Sequence, residues 1–474
     1  MTRMYPTDPF DARARAGSRV VDPPSPGERD TPRADAVRER PMAAMALTAV
    51  VVVAAVLSER FLIGLDTGGL GLVSVFVPVM VGLGLICLLV PTANARRIGW
   101  PRLFAQWGPY WACAGVVPLL AISFGSYPLR VAFASVSGAL VPMAVVVIGV
   151  RIALLVREPS RAVSAALSIA VPAVLAYSAF QWAYSSGALD AAVWQSMADW
   201  DRATALAYGV GELSRSSGPY VNPNILGAWG ALTFVMAATL MQGRVTRPFV
   251  MGAAILTILL SQSRGSFVAL VAGGAVVLLM GARTPDGRQD RSGSTRQLMI
   301  AGFVTALGLG LAGGLPGVTR IVDGLLSFLP GSALDPNMTG RLELWSAAGA
   351  LSASYPLGTW GPPEMILGTA VDSDWVRLFL QASIFGVVAV GLMLIGGAAL
   401  ANRSLATGRA LAASSIVVGF SMITQTPLGY PPIALYWLLV GFSIVGDPVG
   451  APLASQLAVA GKQTRRPAGR RDPA

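Results

Sequence analysis

Long, uninterrupted runs of apolar residues dominate this chain of 474 residues and limit the folds that it can adopt. A helix needs about 20 apolar residues to cross a bilayer, and several of the twelve runs are somewhat shorter than this. Because the runs are continuous rather than alternating, they predict helices and not the strands of a barrel. The predicted spans are 42–57, 68–90, 104–124, 131–150, 162–182, 222–241, 248–262, 266–282, 298–314, 375–400, 410–427 and 431–446.

The composition agrees with a lipid environment. Apolar residues make up 54% of the chain and charged residues only 12%, whereas charged residues usually make up about 25% of a protein. A soluble protein of this length could not bury so much apolar surface, so we exclude a soluble enzyme, a disulfide scaffold and a disordered chain. The chain also lacks histidine, which excludes His-based metal sites, Ser-His triads and a His general base.

Basic residues concentrate in alternate loops, which predicts the orientation of the chain. With the N-terminus inside, 27 of the 35 basic residues and 12 acidic residues are cytoplasmic, while 8 basic and 12 acidic residues lie outside. The inside sum is then +15 and the outside sum −4, and every inside loop is basic, as the positive-inside rule requires. We therefore predict an all-α polytopic protein of the cytoplasmic membrane, with both termini cytoplasmic and no affinity for nucleic acid.

The domain organisation follows from the same pattern. Residues 1–41 are polar and lack apolar periodicity, which predicts a disordered cytoplasmic tail. Residues 42–446 form the transmembrane domain, and residues 447–474 form a basic cytoplasmic tail. The domain has two long outer loops, at about 183–221 and, between spans nine and ten, at about 315–374. Long loops in a compact bundle are more often functional than short ones.

Two stretches of the second outer loop, Val318 to Leu329 and Arg341 to Ser354, have apolar periodicity and predict helices at the membrane interface. All basic residues predicted to lie outside are arginines, and four of them lie near membrane edges in unusual local sequence. The outer arginines are Arg60, Arg130, Arg202, Arg215, Arg264, Arg320, Arg341 and Arg377.

Arg264 lies in the segment S-Q-S-R-G-S-F, residues 261–267, whose serine and glycine residues allow a tight turn between two spans. The next helix is predicted to begin near Ser266, so its free N–H groups point outward. An arginine beside a helix N-terminus favours binding of an anion. The alternative is that Arg264 only reaches lipid headgroups from the end of a helix.

Arg215 begins the segment R-S-S-G-P-Y-V-N-P-N-I-L-G, residues 215–227. Asn222 suits the cap and Pro223 the first turn of a helix, and Asn224 could bind a ligand oxygen. The alternative is a loop that simply leads into a well-capped span.

Two further segments contain both acidic and basic residues. Arg341 and Glu343 lie in T-G-R-L-E-L-W, and Asp372, Asp374 and Arg377 lie in V-D-S-D-W-V-R-L. Asp372 or the serine after it is predicted to cap the next span, and Asp374 and Arg377, three residues apart, to pair on one helix face. They could be no more than caps and a surface ion pair. Together, the outer arginines favour an anionic substrate such as a lipid diphosphate, whose oxygens guanidinium groups bind well.

These segments, in this order, resemble the O-antigen ligase and polysaccharide polymerase superfamily. The resemblance covers roughly residues 200–395 and includes the count of spans and the large late outer loop. It is carried by G-P-Y-V-N-P-N-I-L-G, S-Q-S-R-G-S-F-V-A-L, T-G-R-L-E-L-W with S-Y-P-L-G-T-W-G, and D-S-D-W-V-R-L-F-L-Q-A-S-I-F-G.

The resemblance implies a GT-C-like membrane glycosyltransferase of the outer face that uses an undecaprenyl-diphosphate-linked glycan as donor. Ligases pass the glycan to a lipid or protein acceptor, and polymerases pass it to another lipid-linked unit. Family arginines matching Arg215 and Arg264 hold the donor diphosphate, and we add Arg341, Arg377 and Asn224 as binding candidates. Membrane lipids, a glycan donor and a glycan or lipid acceptor are the expected partners, with no cofactor or metal.

The chain departs from this family at one point. Ligases carry a functional histidine near the segment that here reads Ala370 to Trp375, and polymerase-like members often have an aspartate there. The absent histidine therefore favours a polymerase over a ligase. Asp372 is the first candidate for a catalytic base, followed by Asp374 and Glu343, provided that the carboxylate reaches the acceptor hydroxyl. Alternatively, no base is needed and the arginines drive departure of the diphosphate.

Two functions from other classes remain. A transporter or flippase of lipid-linked oligosaccharide would use the same arginines to bind without reacting. Because transporters usually place ionisable groups near the bilayer midplane, and here they lie at span edges, the enzyme is favoured. A structural membrane scaffold would have no need of the outer arginines.

Overall fold

The computed structural model describes residues 40–58, 62–65, 71–91, 98–124, 129–189, 215–220, 222–281, 336–368, 371–400 and 406–445. The predicted span 298–314, the predicted helix Val318 to Leu329 and nearly all of both predicted tails lie outside these ranges. The helices are α1 Pro41–Leu57, α2 Phe76–Leu89, α3 Trp100–Trp111, α4 Val117–Ser123, α5 Leu129–Leu155, α6 Pro159–Ser185, α7 Pro223–Leu240, α8 Thr246–Ser261, α9 Arg264–Gly281, α10 Pro336–Ser354, α11 Glu364–Leu367, α12 Asp374–Leu400, α13 Ala406–Thr424 and α14 Ala434–Ser443.

The apolar helices indicate a protein embedded in a membrane and confirm the helical fold class. Within the described ranges, five helices are long and apolar enough to cross a bilayer, namely α5, α6, α7, α12 and α13. Shorter apolar helical segments lie in α1, α2, α8, α9 and α14. Each of these helices lies where an apolar run predicted a span. A helix is expected there because it forms its backbone hydrogen bonds internally, as lipid requires.

A short β-hairpin lies between α1 and α2 and was not expected. Strand β1, Leu62–Leu65, pairs antiparallel with strand β2, Gly71–Ser74. The second predicted span, 68–90, therefore begins later, at Phe76. Apolar length alone predicted helix for residues 71–74, because it takes no account of pairing with a strand earlier in the chain.

Helix α7 lies at the centre of the bundle and packs against α6, α8, α9 and α13. Of its 18 residues, 89% are buried, which suits a helix that is apolar on every side. Glycine allows its neighbours to approach closely: a Cβ at Gly230 would lie 2.8 Å from Cγ1 of Ile258. Small residues at such contacts are typical of packed membrane helices.

The predicted span 104–124 is interrupted. Helix α3 passes into a π-helical turn, Ala112–Val116, and then into α4. Pro109 lies inside α3 and removes a backbone donor just before that turn. Single π turns inside helices occur frequently at functional sites.

Helix α12 is also broken, in the middle of what the sequence predicted as one continuous span. Ser383 has a φ of 54°, outside helical geometry. The outer loop supplies replacement hydrogen bonds: the backbone N–H of Thr359 donates to Leu380 O at 2.8 Å, and that of Trp360 donates to Gln381 O at 2.9 Å. The loop is thereby attached to the exposed carbonyl groups of the broken helix.

Helix α10 confirms the helix predicted from Arg341 to Ser354, although it begins earlier, at Pro336. It packs on α12 through a small apolar cluster that contains Ala348, Val371 and Leu380. The described part of the second outer loop is therefore docked on α12 at both ends, by apolar packing and by backbone hydrogen bonds.

Candidate functional site

Arg215 connects the loop before α7 to the end of α8. Its Nε donates to the backbone oxygen of Ser261 at 3.1 Å, and its Nη2 donates to Oδ1 of Asn224 at 3.0 Å. As predicted, Asn222 caps α7, because its Oδ1 accepts from the N–H of Asn224 at 2.8 Å, and Pro223 is the first helical residue. The predicted pair Arg215 and Asn224 is thus brought together.

Gln181, near the end of α6, supports the segment that carries Arg215. Its buried Oε1 accepts hydrogen bonds from Ser216 Oγ at 2.7 Å and from the N–H groups of Ser217 and Gly218 at 2.8 Å each. A single side chain therefore fixes the backbone next to Arg215. The sequence analysis missed Gln181, and its only signal was a polar residue in an apolar run.

Arg264 begins α9, directly after the tight turn that the sequence predicted. Gln262 takes the left-handed conformation, with a φ of 52°, and ends α8. Ser263 Oγ and Ser266 Oγ lie 2.8 Å apart and share a hydrogen bond, and Ser266 Oγ also donates to the backbone oxygen of Asn224 at 3.2 Å. This turn and the first turn of α7 are therefore in direct contact.

Gly227 makes that contact possible. A Cβ at this position would lie 2.6 Å from Ser266 Oγ and 2.8 Å from Ser261 Oγ. Any side chain there would push α7 away from the turn that carries Arg264.

The turn after α13 contacts both the predicted outer loop and the first turn of α9. Nη2 of Arg341 donates to the backbone oxygen of Thr424 at 3.3 Å, and Nε2 of Gln425 donates to Ser266 Oγ at 3.2 Å. The side chain of Thr424 also packs directly over Gly265. Arg341 and the first turn of α9 thus both contact the turn after α13. The sequence analysis did not select this turn, and its signal was the T-Q-T triplet between two apolar runs.

Arg215, Asn224, Arg264, Ser266 and Arg341 form one group, which we call the arginine cluster. The guanidinium groups of Arg215 and Arg341 bond to segments that contact the first turn of α9, which Arg264 begins. The backbone N–H groups and helix dipole of that turn also favour negative charge. The three arginines are half-buried, so part of each remains accessible. Such an arrangement can bind a phosphate or diphosphate through charge-assisted hydrogen bonds.

Asp374 and Arg377 form the predicted ion pair at the start of α12, but the pair is not on the surface. Oδ1 of Asp374 accepts from Nη2 of Arg377 at 2.8 Å and from its Nε at 3.0 Å. Oδ2 accepts from the N–H of Leu428 at 2.9 Å, and the side chain is fully buried. With both oxygens engaged, Asp374 is better suited to holding Arg377 than to accepting a proton.

A backbone contact joins this pair to the arginine cluster. The N–H of Asp374 donates to the backbone oxygen of Gln425 at 3.1 Å, and the side chain of Gln425 contacts the cluster. Ser373 caps α12, since its Oγ accepts from the N–H of Val376 at 3.4 Å, which decides between the two predicted caps.

The other two predicted carboxylates are exposed. Asp372 lies two residues before α12, on the outer side of its cap. Glu343 lies two residues after Arg341 on α10, and side chains two apart on a helix point to different faces. Glu343 is therefore directed away from the face that carries Arg341.

No group of three or more Cys, Asp or Glu side chains that could hold a metal ion occurs among the residues that the structure describes. Comparison with protein-family models gave no match, and comparison with curated proteins gave no significant match.

Proposed function

We propose that the chain is a GT-C-like glycosyltransferase with twelve membrane spans. It would polymerise or ligate an undecaprenyl-diphosphate-linked surface polysaccharide on the outer face of the cytoplasmic membrane, and the missing histidine favours polymerisation. The observation that supports this proposal is the arginine cluster, in which hydrogen bonds join the segments that carry Arg215 and Arg341 to the helix N-terminus that begins with Arg264.

The cluster suits a reaction in which a diphosphate leaves. The acceptor hydroxyl oxygen attacks the anomeric carbon of the donor glycan, and the bond from that carbon to the phosphate oxygen breaks. The diphosphate departs with the electron pair, so negative charge develops on its oxygens in the transition state. Preorganised guanidinium groups stabilise such charge more than they stabilise the ground state.

The hydroxyl proton needs an acceptor, and the candidates differ in their surroundings. Asp372 is exposed next to the capped start of α12, so it remains the first choice for a general base. Asp374 is occupied by Arg377 and Leu428, and Glu343 lies on another face of α10 from Arg341. If neither exposed carboxylate matters, departure of the diphosphate dominates and the proton passes to solvent.

The test is replacement of Arg264 by alanine, with Arg161→Ala as the matched control. We expect Arg264→Ala to stop glycan extension and to leave lipid-linked units accumulating, because one lost charge-stabilising donor costs about 3 kcal/mol, or about 10²-fold in rate. The Arg161 side chain is 82% exposed and paired with Glu158, so its loss should have no effect. Normal glycan in an Arg264→Ala strain with normal protein level would contradict the mechanism, and so would dispensability of all the outer arginines.

A deletion strain separates the two branches of the proposed activity. Collapse of a glycan length ladder to a single repeat unit indicates a polymerase. A full ladder that stays on the lipid carrier indicates a ligase.

The transporter remains a second candidate because α12 is broken at Ser383, and discontinuous helices are typical of transport sites. Purified protein in liposomes with a lipid-diphosphate glycan distinguishes the two. Release of free lipid diphosphate supports the enzyme, whereas movement of the glycan lipid without release supports the transporter.

A further inference from the structure

A cavity of about 260 Å³ is lined by residues of α2, α3, α5, α12, α14 and the turn that precedes α14. Its volume is slightly below the range of about 300–1,000 Å³ that is usual for pockets holding drug-sized ligands. The cavity is therefore suited to a single ring and its substituents rather than to a long chain.

Irregular backbone borders this cavity on several sides. Ala114 belongs to the π-helical turn, Pro142 lies inside α5, where it lacks a backbone N–H, and Gln381 immediately precedes the break in α12. All three line the cavity. Irregular backbone at membrane depth is found where it is buried in protein or lines a polar cavity. The breaks thus coincide with a place where polar groups are available to a ligand.

Two polar side chains from α12 line the cavity. Arg377 is 28% exposed, and its fully buried partner Asp374 fixes the direction of the guanidinium group and balances its charge. Gln381, one turn further along, is anchored by a hydrogen bond from its Nε2 to the backbone oxygen of Cys113 at 3.2 Å. Both groups are held in place before any ligand arrives.

Two aromatic side chains form another part of the wall. The rings of Tyr110 and Trp437 stack with centroids 5.6 Å apart and an angle of 23° between their planes. Trp437 is only 1% exposed, and among the described residues its indole N–H has no hydrogen-bond partner. A buried donor of this kind is costly unless something accepts from it.

Three kinds of occupant can be compared. A hydrocarbon chain would leave the guanidinium of Arg377 and the amide of Gln381 facing apolar atoms, which is unfavourable. A second phosphate would have to compete with Asp374, which already neutralises Arg377. A neutral pyranose has apolar C–H groups that suit the apolar part of the wall and hydroxyl groups that can accept from Arg377 and Gln381.

We propose that this cavity binds a neutral sugar ring, one unit of the glycan that is donated or extended. That the sugar belongs to the glycan rests on the proposed function. The chemistry by which the cavity would bind a sugar does not. Its position fits, because Asp374 is linked through Gln425 to Ser266 in the arginine cluster. A chain of hydrogen bonds from Arg377 through Asp374 and Gln425 thus connects the cavity wall to the cluster.

Gly138 allows the cavity to be filled without disturbing the fold. It lines the cavity, and a Cβ at this position would meet no heavy atom within 4 Å. Gly138→Phe should therefore occupy the space that a sugar ring needs. Gly252, in α8, also has open space at its Cβ and does not line the cavity, so Gly252→Phe is the matched control.

The experiment uses the full chain in lipid nanodiscs, free of sugar detergents. The probes are the glycans released by mild acid from the strain's own lipid-diphosphate fraction, and, separately, inorganic pyrophosphate. We expect the wild type and Gly252→Phe to bind the glycans saturably. Gly138→Phe and Arg377→Lys should bind them at least tenfold more weakly. Pyrophosphate binding should be unchanged in Gly138→Phe and lost in Arg264→Ala.

Equal glycan binding by wild type and Gly138→Phe, or no binding by the wild type, would overturn the sugar site even if pyrophosphate still required Arg264. Binding of a short isoprenoid alcohol to the wild type that is lost in Gly138→Phe, with no binding of the glycans, would overturn the sugar site as well. Pyrophosphate binding that survives Arg264→Ala would contradict the proposed function and leave the sugar site standing.

Discussion

At the scale of single residues, the position of Arg215 depends on a side chain that contacts no candidate ligand. The buried Oε1 of Gln181 receives three hydrogen bonds from Ser216, Ser217 and Gly218. The backbone N–H of Ser217 is held by this acceptor, whereas that of Gly218 also donates to Ser216 Oγ at 3.1 Å. Gln181 is therefore a positioning residue for the arginine cluster.

We expect Gln181→Met to reduce both stability and anion binding. Methionine is similar in length but has no acceptor for these hydrogen bonds, and each buried donor left unsatisfied costs about 1–3 kcal/mol. Thermal unfolding in detergent measures the stability. Titration with inorganic pyrophosphate measures whether the cluster loses affinity, by about tenfold for each 1.4 kcal/mol.

Gln106→Met is the control for this substitution. Gln106 is also buried, but its Nε2 has no hydrogen-bond partner within the described ranges, so removing its amide should cost little. Equal effects of the two substitutions, or unchanged pyrophosphate affinity in Gln181→Met, would argue that Gln181 does not position Arg215.

Some site residues could be found from the sequence and others could not, depending on whether their contacts are local or distant in the chain. Arg215, Asn224 and Arg264 lie in short motifs that combine caps, turns and cations, and local rules describe such motifs. Gln181 and Gln425 acquire their roles only through contacts with distant segments. A polar residue near the end of a span is common, so nothing local distinguished these two.

At the scale of secondary-structure elements, the break in α12 separates two half-helices that do different work. The first half carries Asp374 and Arg377 towards the cluster and the cavity. Beyond the break, side chains such as Phe385 and Ile395 are 67% exposed, as expected for a surface that faces lipid. Hydrogen bonds from the outer loop hold the break open by satisfying Leu380 and Gln381.

The break predicts that glycine is a more stable replacement than alanine at Ser383, the reverse of the order in a regular helix. With φ at 54°, glycine is favoured over residues that carry a Cβ, whereas in an ordinary helix alanine is more stable than glycine by about 1 kcal/mol. Both substitutions remove the hydrogen bond from Ser383 Oγ to Pro356 O, so their difference reports the backbone alone. We expect Ser383→Gly to unfold at a higher temperature than Ser383→Ala.

Ser164, inside α6, provides the comparison. Its Oγ likewise bonds a backbone oxygen, that of Ser160 at 2.8 Å, but its surroundings are regular helix. Alanine should be the more stable substitution there. The same order at both positions would show that α12 is continuous, and the attachment of the outer loop would then need another explanation.

The elements that sequence analysis missed have a shared cause. Apolar length predicted the described apolar helices, because a backbone in lipid must form its hydrogen bonds within its own helix. It could not predict the hairpin of β1 and β2 or the break at Ser383, since both depend on hydrogen bonds between segments far apart in the chain. The π-helical turn after α3 had a local signal, Pro109, but its consequence depends on packing.

At the scale of the whole molecule, the proposed activity depends on orientation. The arginine cluster, the outer loop and the cavity all lie at or near the end of the bundle where α6, α8 and α13 finish. Counting basic residues puts this end outside and leaves the outer loops with a net charge of −4. Lipid-diphosphate glycan on the outer face could be used only in this orientation.

Single cysteines at the two ends of α6 test the orientation. Glu158, just before α6, has a side chain that is 54% exposed, and Ser186, just after it, is also exposed. In a chain whose Cys87 and Cys113 are replaced by alanine, a membrane-impermeant thiol reagent should label Ser186→Cys in intact cells. It should label Glu158→Cys only after permeabilisation, because that residue lies in a loop with Arg157 and Arg161 that is predicted to be cytoplasmic. The reverse pattern would put the arginine cluster on the cytoplasmic side, where it could serve a cytoplasmic donor or a flippase but not an outer-face polymerase.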